Sequence, residues 1–444
     1  MAKKENRHAE LVSASANIEA PYELPDGWKW EQLEELSAIP ITDGTHKTPT
    51  YSNAESGIPF ISAKDVTKEY IDWSNIKYIT KELHTELYKR IAPQVDDILL
   101  AKNGTTGVAA IVDIDKVFDL YVTLAVIRPN QEKILPRYLL RVINSPICKN
   151  QFDEHLTGIG VPNLHLRDIK VTQIPLPPTL AEQERIVNRI ETMFAKLDQA
   201  QEKAQAVLDS FETRKAAILH KAFTGQLTAN WRKENSVSDD SWEEKRLEDV
   251  CDFITKGTTP KKEDMSIGSG DIPYIKVYNL CFDTNLDFTI DPTFVKLESH
   301  KTFLARSITL SGDVLMNIVG PPFGKVSIVP DTYPEWNINQ AIARFRCKPE
   351  LYNVYLANYL ISPKTIENMS RQIKTTAGQQ NLTLEICRNI TIPVPTFTEQ
   401  QEIVRILATV LEKESRAKEA AQTVLDQIAL LKKSILVRAF RGEL

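Results

Sequence analysis

Two long stretches of the chain carry apolar side chains at alternating steps of four and three residues. The first contains Ile186, Ile190, Met193, Leu197, Ala200, Ala204, Val207 and Phe211. The second contains Ile403, Leu407, Val410, Ala417, Ala421, Val424, Ile428, Leu431 and Ile435, and Glu414 interrupts it. A mean spacing of about 3.5 residues is typical of a coiled-coil seam. The pattern predicts two helices that pair through these residues; packing of each helix on its own domain is the alternative.

Each helical stretch follows a proline-rich strand and begins with the same signal. Thr179 is followed three residues later by Glu182, and Thr396 by Glu399. Threonine and glutamate at this spacing form a capping box, in which both side chains accept hydrogen bonds from unpaired backbone N–H groups at a helix start. The sequence therefore predicts that two long helices begin at equivalent places.

The remaining sequence alternates short apolar runs with Gly, Pro, Asn and Asp, which is typical of strands, hairpins and short helices in an α+β domain. We expect two such domains, domain 1 (22–178) and domain 2 (241–395). The other predicted segments are an N-terminal extension (1–21), a central helical spacer (179–225), a polar linker (226–240) and a distal helical spacer (396–444).

The chain contains an internal repeat. Residues 218–227 match residues 435–444, a shift of 217, and 174–177 match 392–395, a shift of 218. Residues 97–99 likewise match 313–315. Two copies of one unit imply a pseudo-two-fold relation, in which the two helices pair as an antiparallel coiled coil with the globular domains at opposite ends of a rod.

Composition limits the kind of partner. The 444 residues carry 54 Lys and Arg against 59 Asp and Glu, a net charge of −5, so a polybasic protein is excluded and any nucleic-acid contact must be local. The five cysteines are scattered without a C-x-x-C pair, which favours a reducing cytoplasm. The sequence shows neither a signal peptide nor a run of apolar residues long enough to span a membrane.

The sequence offers no convincing catalytic or metal site. Gly320-Pro-Pro-Phe resembles the N-P-P-F tetrapeptide of amino-methyltransferases, but glycine cannot accept a hydrogen bond from a target amine, and no cofactor-binding glycine loop precedes it. The seven histidines show no H-x-H or H-x-x-x-H pair. We therefore predict neither catalytic nor metal-ligating residues, which opposes a self-contained methyltransferase or nuclease.

Short polar loops rich in hydrogen-bond donors interrupt both domains. Lysine and arginine neutralise phosphates, whereas Asn, Gln and Thr can contact base edges. The loops give these candidate DNA-binding residues: Thr45, His46, Lys47, Lys102, Asn103, Thr105, Lys256, Thr258, Thr259, Lys261, Lys262, Lys325, Arg371, Lys374, Thr375, Gln379 and Gln380. Solvated turns without a ligand are the alternative for any one loop.

Several of these passages together resemble a known family. They are the 43–49 loop followed by Gly57-Ile-Pro-Phe-Ile, the passage at 174–187, its repeat at 392–404, and the Ala-Phe-x-Gly-x-Leu sequences that end at 227 and 444. The chain resembles the specificity (S) subunit of type I restriction-modification enzymes over nearly its whole length.

The resemblance implies two target-recognition domains, each reading one half of a split sequence in double-stranded DNA. It also implies helical spacers that act as a ruler and dock two modification (methyltransferase) subunits, with restriction (translocase and nuclease) subunits completing the complex. S-adenosylmethionine, ATP and Mg are then expected on the partner subunits and no cofactor on this chain. A two-lobed adaptor that binds proteins or peptides is the competing hypothesis.

Overall fold

The computed structural model describes residues 21–66, 69–156, 162–320, 322–376 and 379–444, with the backbone alone at 374–376 and 379–380. The chain packs as two units, Met1–Ala204 with Thr423–Leu444, and Gln205–Gln422. Each unit combines one predicted domain with segments of both long helices. None of the helices in the described ranges has the length and apolar character needed to cross a membrane.

Domain 1 is a mixture of short strands and short helices, as its sequence predicts. Its strands are β1 (Lys29–Gln32), β2 (Thr42–Asp43), β3 (Tyr51–Ser52), β4 (Ile58–Ile61), β5 (Lys77–Ile79), β6 (Ile98–Ala101), β7 (Ala109–Ile111), β8 (Asp119–Leu120), β9 (Leu124–Ile127) and β10 (Gln173–Leu176). Its helices are α1 (Lys81–Leu87), α2 (Pro136–Ile143), α3 (Pro146–Glu154) and α4 (Leu166–Lys170), and α5 (Leu180–Phe223) follows.

The strands of domain 1 form the sheets β2-β9-β6-β7 and β3-β5-β4-β8 and the pair β1-β10. Strand β4 pairs with β8 in parallel, whereas the other pairs are antiparallel. Because successive strand side chains point to opposite faces, Ile98 and Leu100 of β6 join a core cluster with α2, α3 and α4. Leu99 and Ala101 join a second cluster on the other face. The central sheet therefore has a core on both sides.

Domain 2 repeats this arrangement. Its strands are β11 (Glu243–Arg246), β12 (Cys251–Lys256), β13 (Met265–Ile267), β14 (Ile272–Ile275), β15 (Thr293–Val295), β16 (Val314–Asn317), β17 (Val319–Gly320), β18 (Val326–Ile328), β19 (Asn337–Ile338), β20 (Ile342–Cys347), β21 (Lys374–Thr376), β22 (Gln379–Asn381) and β23 (Thr391–Val394). Helix α6 (Ala229–Glu234) precedes the domain. The helices of the domain are α7 (Leu247–Val250), α8 (Leu297–Lys301), α9 (Asn353–Leu360), α10 (Pro363–Arg371) and α11 (Leu384–Arg388), and α12 (Phe397–Phe440) follows.

The sheets β12-β20-β16-β18 and β13-β15-β14-β19 and the pair β11-β23 match those of domain 1 strand for strand. The described part of domain 2 also contains the sheet β17-β22-β21. In the stretch that the sequence predicts to be a polar loop, Lys374–Thr376 and Gln379–Asn381 are antiparallel strands instead, because backbone hydrogen bonds hold β22 between β21 and β17. The α+β fold with two repeated domains is confirmed.

The two long helices begin as the sequence predicts but use their glutamates differently. Thr179 Oγ1 accepts a hydrogen bond from Glu182 N at 3.2 Å, and Thr396 Oγ1 accepts one from Glu399 N at 3.3 Å. The glutamate side chains, however, bond to arginines: Glu182 to Arg185 and Glu399 to Arg232. The threonine half of each predicted capping box is thus present, while the carboxylates contact other groups.

A buried glutamine one turn into each helix attaches it to its own domain. Gln183 accepts a hydrogen bond from Leu135 N at 2.8 Å and donates one to Lys133 O at 3.0 Å. Gln400 makes the matching bonds with Tyr352 N and Glu350 O at 2.8 and 2.9 Å. The first turns of both helices therefore pack on their own domains. This packing is the alternative to helix pairing that the sequence left open.

Within each unit the two helices run antiparallel. In the first unit, Arg185 near the start of α5 donates to Leu444 O at 2.7 Å, and the end of α12 contributes Leu436 and Phe440 to the core of domain 1. In the second unit, Arg214 pairs with Glu414 at 2.8 Å. Glu414, which interrupts the predicted seam, is thus neutralised by an arginine of α5.

Three predicted seam residues of α12 are exposed, and Ala417 is one of them. Val424 and Leu431 are 39% and 49% exposed, whereas Ile428 is 4% exposed and Lys432 forms an ion pair with Asp198. The buried stripe of α12 includes Ala421, Ile428, Leu436 and Ala439, which follows the 3.6-residue period of a straight helix. A strict 3.5-residue repeat drifts away from such a stripe by about 20° per heptad, so the Val424 and Leu431 side chains rotate out of it.

The expected polar linker at 226–240 is folded. It contains α6, and Arg232 on this helix is buried and donates to the fully buried Glu399 at 2.7 Å. Thr228 Oγ1 and Trp242 Nε1 donate to the same carboxylate oxygen at 2.7 and 3.2 Å. The segment is therefore fixed to the start of α12 by a buried ion pair.

Candidate nucleic-acid interface

The first polar loop of domain 1 turns on Gly44. A Cβ added there would lie 2.1 Å from Leu120 O, so only glycine lets the loop approach this strand. Thr45 then forms a β-bridge with Tyr121, and its hydroxyl accepts a hydrogen bond from Lys47 N at 3.1 Å. Thr45 is 5% exposed. The Thr45 side chain stabilises the loop from inside, which disfavours its predicted DNA contact.

A buried carboxylate organises the cations of this loop. Asp43 lies 2.9 Å from Lys102 Nζ, 3.1 Å from Arg90 Nη2 and 3.3 Å from His46 Nε2. Lys102 is buried in this ion pair, and a buried charge cannot leave its partner for DNA at low cost. The geometry therefore disfavours the predicted phosphate contact of Lys102, which stays a prediction. His46 and Lys47 are exposed, and Lys47 pairs with Glu86.

The first polar loop of domain 2 also turns on a glycine, but its charged residues differ from those of domain 1. A Cβ on Gly257 would lie 2.0 Å from Ile338 O. The candidate residues Lys256, Thr259, Lys261 and Lys262 are exposed. Thr258 is partly buried, and its hydroxyl accepts a hydrogen bond from Arg306 Nε at 3.0 Å. The loop therefore presents three exposed lysines.

The second polar loop of domain 1 borders a cavity of about 500 Å³. The predicted residues Asn103 and Thr105 lie on its wall, together with Tyr51, Lys64 and Lys77. Sequence reasoning missed the last three, because they belong to strands and a short helix distant in sequence and form no local motif. The fold thus brings two of the predicted residues beside an aromatic ring and two lysines.

The second polar loop of domain 2 is held by a buried amide. Asn317 donates to Pro322 O at 2.9 Å and accepts from Lys325 N at 3.0 Å. The Lys325 ammonium lies 5.7 Å from the ring centroid of the exposed Phe282.

The remaining candidate residues of domain 2 lie at 371–380. Arg371 is exposed and paired with Glu367. The side chains of Lys374, Thr375, Gln379 and Gln380 lie outside the described atoms, so their DNA contacts stay predictions.

Several other charged groups are structural. Arg128 pairs with Asp97 in domain 1, and Arg346 pairs with Asp313 in domain 2. Hydrogen bonds to the carboxylates hold the pKa of both guanidinium groups above their ordinary value. Arg344 is buried beside the same Asp313, and burial lowers its pKa. In the described ranges no group of His, Cys, Asp and Glu could hold a metal ion.

Comparison with known proteins gives a consistent result. The family model described as "Type I restriction modification DNA specificity domain" matches residues 25–208 and again 239–424. The chain is 24% identical to the type I restriction enzyme EcoKI specificity subunit of Escherichia coli K12, over 95% of this chain and 90% of that protein. Over 41% of this chain and 38% of its relative, it is 32% identical to the EcoBI specificity subunit of Escherichia coli.

Solved structures with the same fold include a chain from a study of assembly and conformational transition of the type I R-M system. The TM-score is 0.71 at 20% identity, with 96% of this chain and 100% of the other covered. The HsdS subunit from Thermoanaerobacter tengcongensis matches with a TM-score of 0.63 at 22% identity, with 96% and 99% covered. These likenesses extend along nearly the entire chain.

Proposed function

Because the chain belongs to the family of type I restriction-modification DNA specificity proteins, we propose that its two domains each read one half of a bipartite target in double-stranded DNA. Family membership identifies the chain as a non-catalytic DNA specificity subunit. The observation that carries the bipartite proposal is the repeat of the same sheets with different polar loops. Identical frameworks with different loop chemistry suit two different half-sites.

The proposed partners follow from the same repeat. Two equivalent helix starts suit two copies of one partner, so we infer two modification subunits, with restriction subunits joining the complex. S-adenosylmethionine, ATP and Mg belong to these partners in the proposal. A cytoplasmic location is part of it as well, and it is supported by five cysteines that are all free thiols.

The experiment is co-expression with the cognate modification subunit in a host that lacks DNA methylation, followed by sequencing that detects methylated adenine. The expected result is methylation at a split sequence. Replacing residues 22–178 with the same segment of a relative should change one half-site and leave the other. A folded, active chimaera in which both half-sites change would contradict the proposal. Binding of proteins without any DNA preference would favour the adaptor hypothesis.

The long helices are proposed to set the gap between the half-sites. Inserting four residues after Ala217, within α5, adds about 6 Å of helix. This length corresponds to one or two base pairs at about 3.4 Å each. We expect the gap to lengthen while both half-sites stay unchanged. An active insertion variant that keeps the original gap would show that the helices are not the spacer.

A further inference from the structure

The cavity in domain 1 has a rigid aromatic floor. Phe60 of β4 is buried, and its ring centroid lies 5.8 Å from that of Tyr121. Tyr121 is fixed through its backbone, since Tyr121 N donates to Ile61 O at 2.9 Å and Val122 N donates to Thr45 O at 3.0 Å. The close approach at Gly44 thus positions one wall of the cavity. A preformed wall loses little conformational entropy when it binds a ligand.

A cation lies over an exposed ring at the rim. The Lys77 ammonium is 4.5 Å from the ring centroid of Tyr51 and 3.4 Å from its hydroxyl oxygen. Tyr51 is 52% exposed. An exposed ring with a lysine beside it suits the backbone of double-stranded DNA, because the ring can contact a sugar while the ammonium contacts the neighbouring phosphate.

The lining of the cavity also includes groups that can hydrogen-bond to base edges. Asn103 Nδ2 donates to Asn163 Oδ1 at 2.9 Å, which fixes the orientation of the Asn103 amide. Gly104 has φ +76° and no atom within 4 Å of an added Cβ, so the loop surface there is open. Thr105, next along the loop, is exposed. Amide and hydroxyl groups of this kind read bases in DNA grooves.

The chemistry of this cavity is specific to domain 1. Tyr51 pairs with Ile79, and the equivalent pair in domain 2 is Met265 with Val295. Counting back along β5 and β15, the position of Lys77 is occupied by Thr293, which is buried. The same framework therefore carries an aromatic ring and a lysine in one domain, and a thioether and a buried hydroxyl in the other.

We propose that this cavity is the surface with which domain 1 reads its DNA half-site. Lys77 contacts a phosphate, Tyr51 packs on the adjoining sugar, and Asn103 and Thr105 contact base edges. The inference rests on the proposed function, which it deepens by naming the residues that determine one half-site.

The test uses the full chain in complex with its modification subunit. Lys77→Ala removes one phosphate contact, so the slope of log affinity against log salt should become shallower by about 0.9. The sequence methylated should stay the same. Lys149→Ala, which removes an exposed lysine of α3 outside the cavity, is the matched control and should leave the slope unchanged. An equal change in both variants, or none in Lys77→Ala, overturns the phosphate assignment.

Thr105→Val tests base reading without disturbing the Asn103–Asn163 contact. Loss of a base-edge contact should reduce discrimination at one position of the half-site that changes in the 22–178 chimaera, by about 5- to 150-fold. Relaxation of the other half-site overturns the proposal. If Thr105→Val, Tyr51→Ala and Lys77→Ala all bind and methylate the original bipartite target as the parent does, the cavity is not the reader, while the bipartite function stands. If the parent chain methylates no bipartite target, the proposed function itself fails.

Discussion

Domains 1 and 2 keep the same contacts where they support the backbone. Tyr138 donates to Pro175 O at 2.7 Å in domain 1, and Tyr355 donates to Pro393 O at 2.8 Å in domain 2. The Asp–Arg pairs and the glycines of the first loops likewise occur in both domains. These groups satisfy backbone carbonyls or allow close backbone approach, so substitution would expose unpaired polar groups or cause clashes.

The domains differ at two equivalent positions in their polar loops. Asp43 and Lys102 form a buried ion pair in domain 1, whereas the sheet register places Lys256 and Ile318 at these positions in domain 2. Ile318 is buried and Lys256 is exposed. One framework thus accepts either a buried charge pair or an apolar residue with a free surface lysine. The charge of a loop can therefore differ between the two domains while their sheets stay the same.

The largest expected loss of stability comes from substituting the glycine on which the first polar loop of each domain turns. Gly44→Ala and Gly257→Ala would each place a methyl group against a backbone carbonyl, so each should cost about 3 kcal/mol or more in the free energy of unfolding. Each should abolish reading of one half-site only. Gly104→Ala is the control, since it meets no atom within 4 Å and should cost only about 1 kcal/mol of backbone strain. Urea unfolding measures all three; equal costs would refute the argument.

The helix contacts should show a large difference between two neighbouring residues. Ile428→Glu buries a carboxylate and should cost about 3 kcal/mol or more, whereas Leu431→Glu places it in solvent and should change stability by about 0.5 kcal/mol or less. Thermal unfolding of the two variants checks this. A greater loss of stability for Leu431→Glu than for Ile428→Glu would support the helix-pairing seam expected from the sequence.

A smaller effect on stability is expected when Asp43 and Lys102 are replaced by the residue types found at these positions in domain 2, Lys and Ile. Lys102→Ile alone leaves Asp43 buried with Arg90 and His46 still close, so we expect a loss of about 1–3 kcal/mol. The double variant Asp43→Lys/Lys102→Ile removes the buried carboxylate and should recover part of that loss. Unfolding free energies in a double-mutant cycle give the coupling. Additive losses would show that the two positions are independent.

The smallest expected effect is on the pH dependence of folding stability. Asp119 hydrogen-bonds His84 in domain 1, and Asn337 hydrogen-bonds His300 at the same place in domain 2. Burial raises the pKa of Asp119, with the His84 hydrogen bond opposing the shift. The folded state therefore binds this proton more tightly, and the Asp119 contribution to stability is lost as pH rises through the raised pKa.

We accordingly expect Asp119→Asn to gain stability relative to the parent as pH rises from about 4 toward neutrality. Below the ordinary aspartate range the difference should level off. Unfolding free energies measured at several pH values give this curve, with Asn337→Asp as the reciprocal variant. A difference that is independent of pH would show that Asp119 has the same pKa in the folded and unfolded states.

Local signals were sufficient for the helices and the repeat. The threonine caps at 179 and 396 lie one residue before α5 and α12, and both helices have 44 residues. Capping and apolar periodicity act within a few residues, so they can be recognised without tertiary information. The same reasoning was wrong for Val424 and Leu431, because a repeat read as 3.5 residues and a helix turning every 3.6 separate over several turns.

The α+β domains, their duplication, the long helices and the family can all be recognised in the sequence. Which polar residues face solvent depends on the tertiary structure. Thr45 and Lys102 have the composition of a DNA-contacting loop but are buried by Tyr121 and Asp43, whereas Tyr51 and Lys77 come from separate strands and meet at the rim of a cavity. Burial and charge pairing depend on residues far apart in the chain, so no local pattern encodes them.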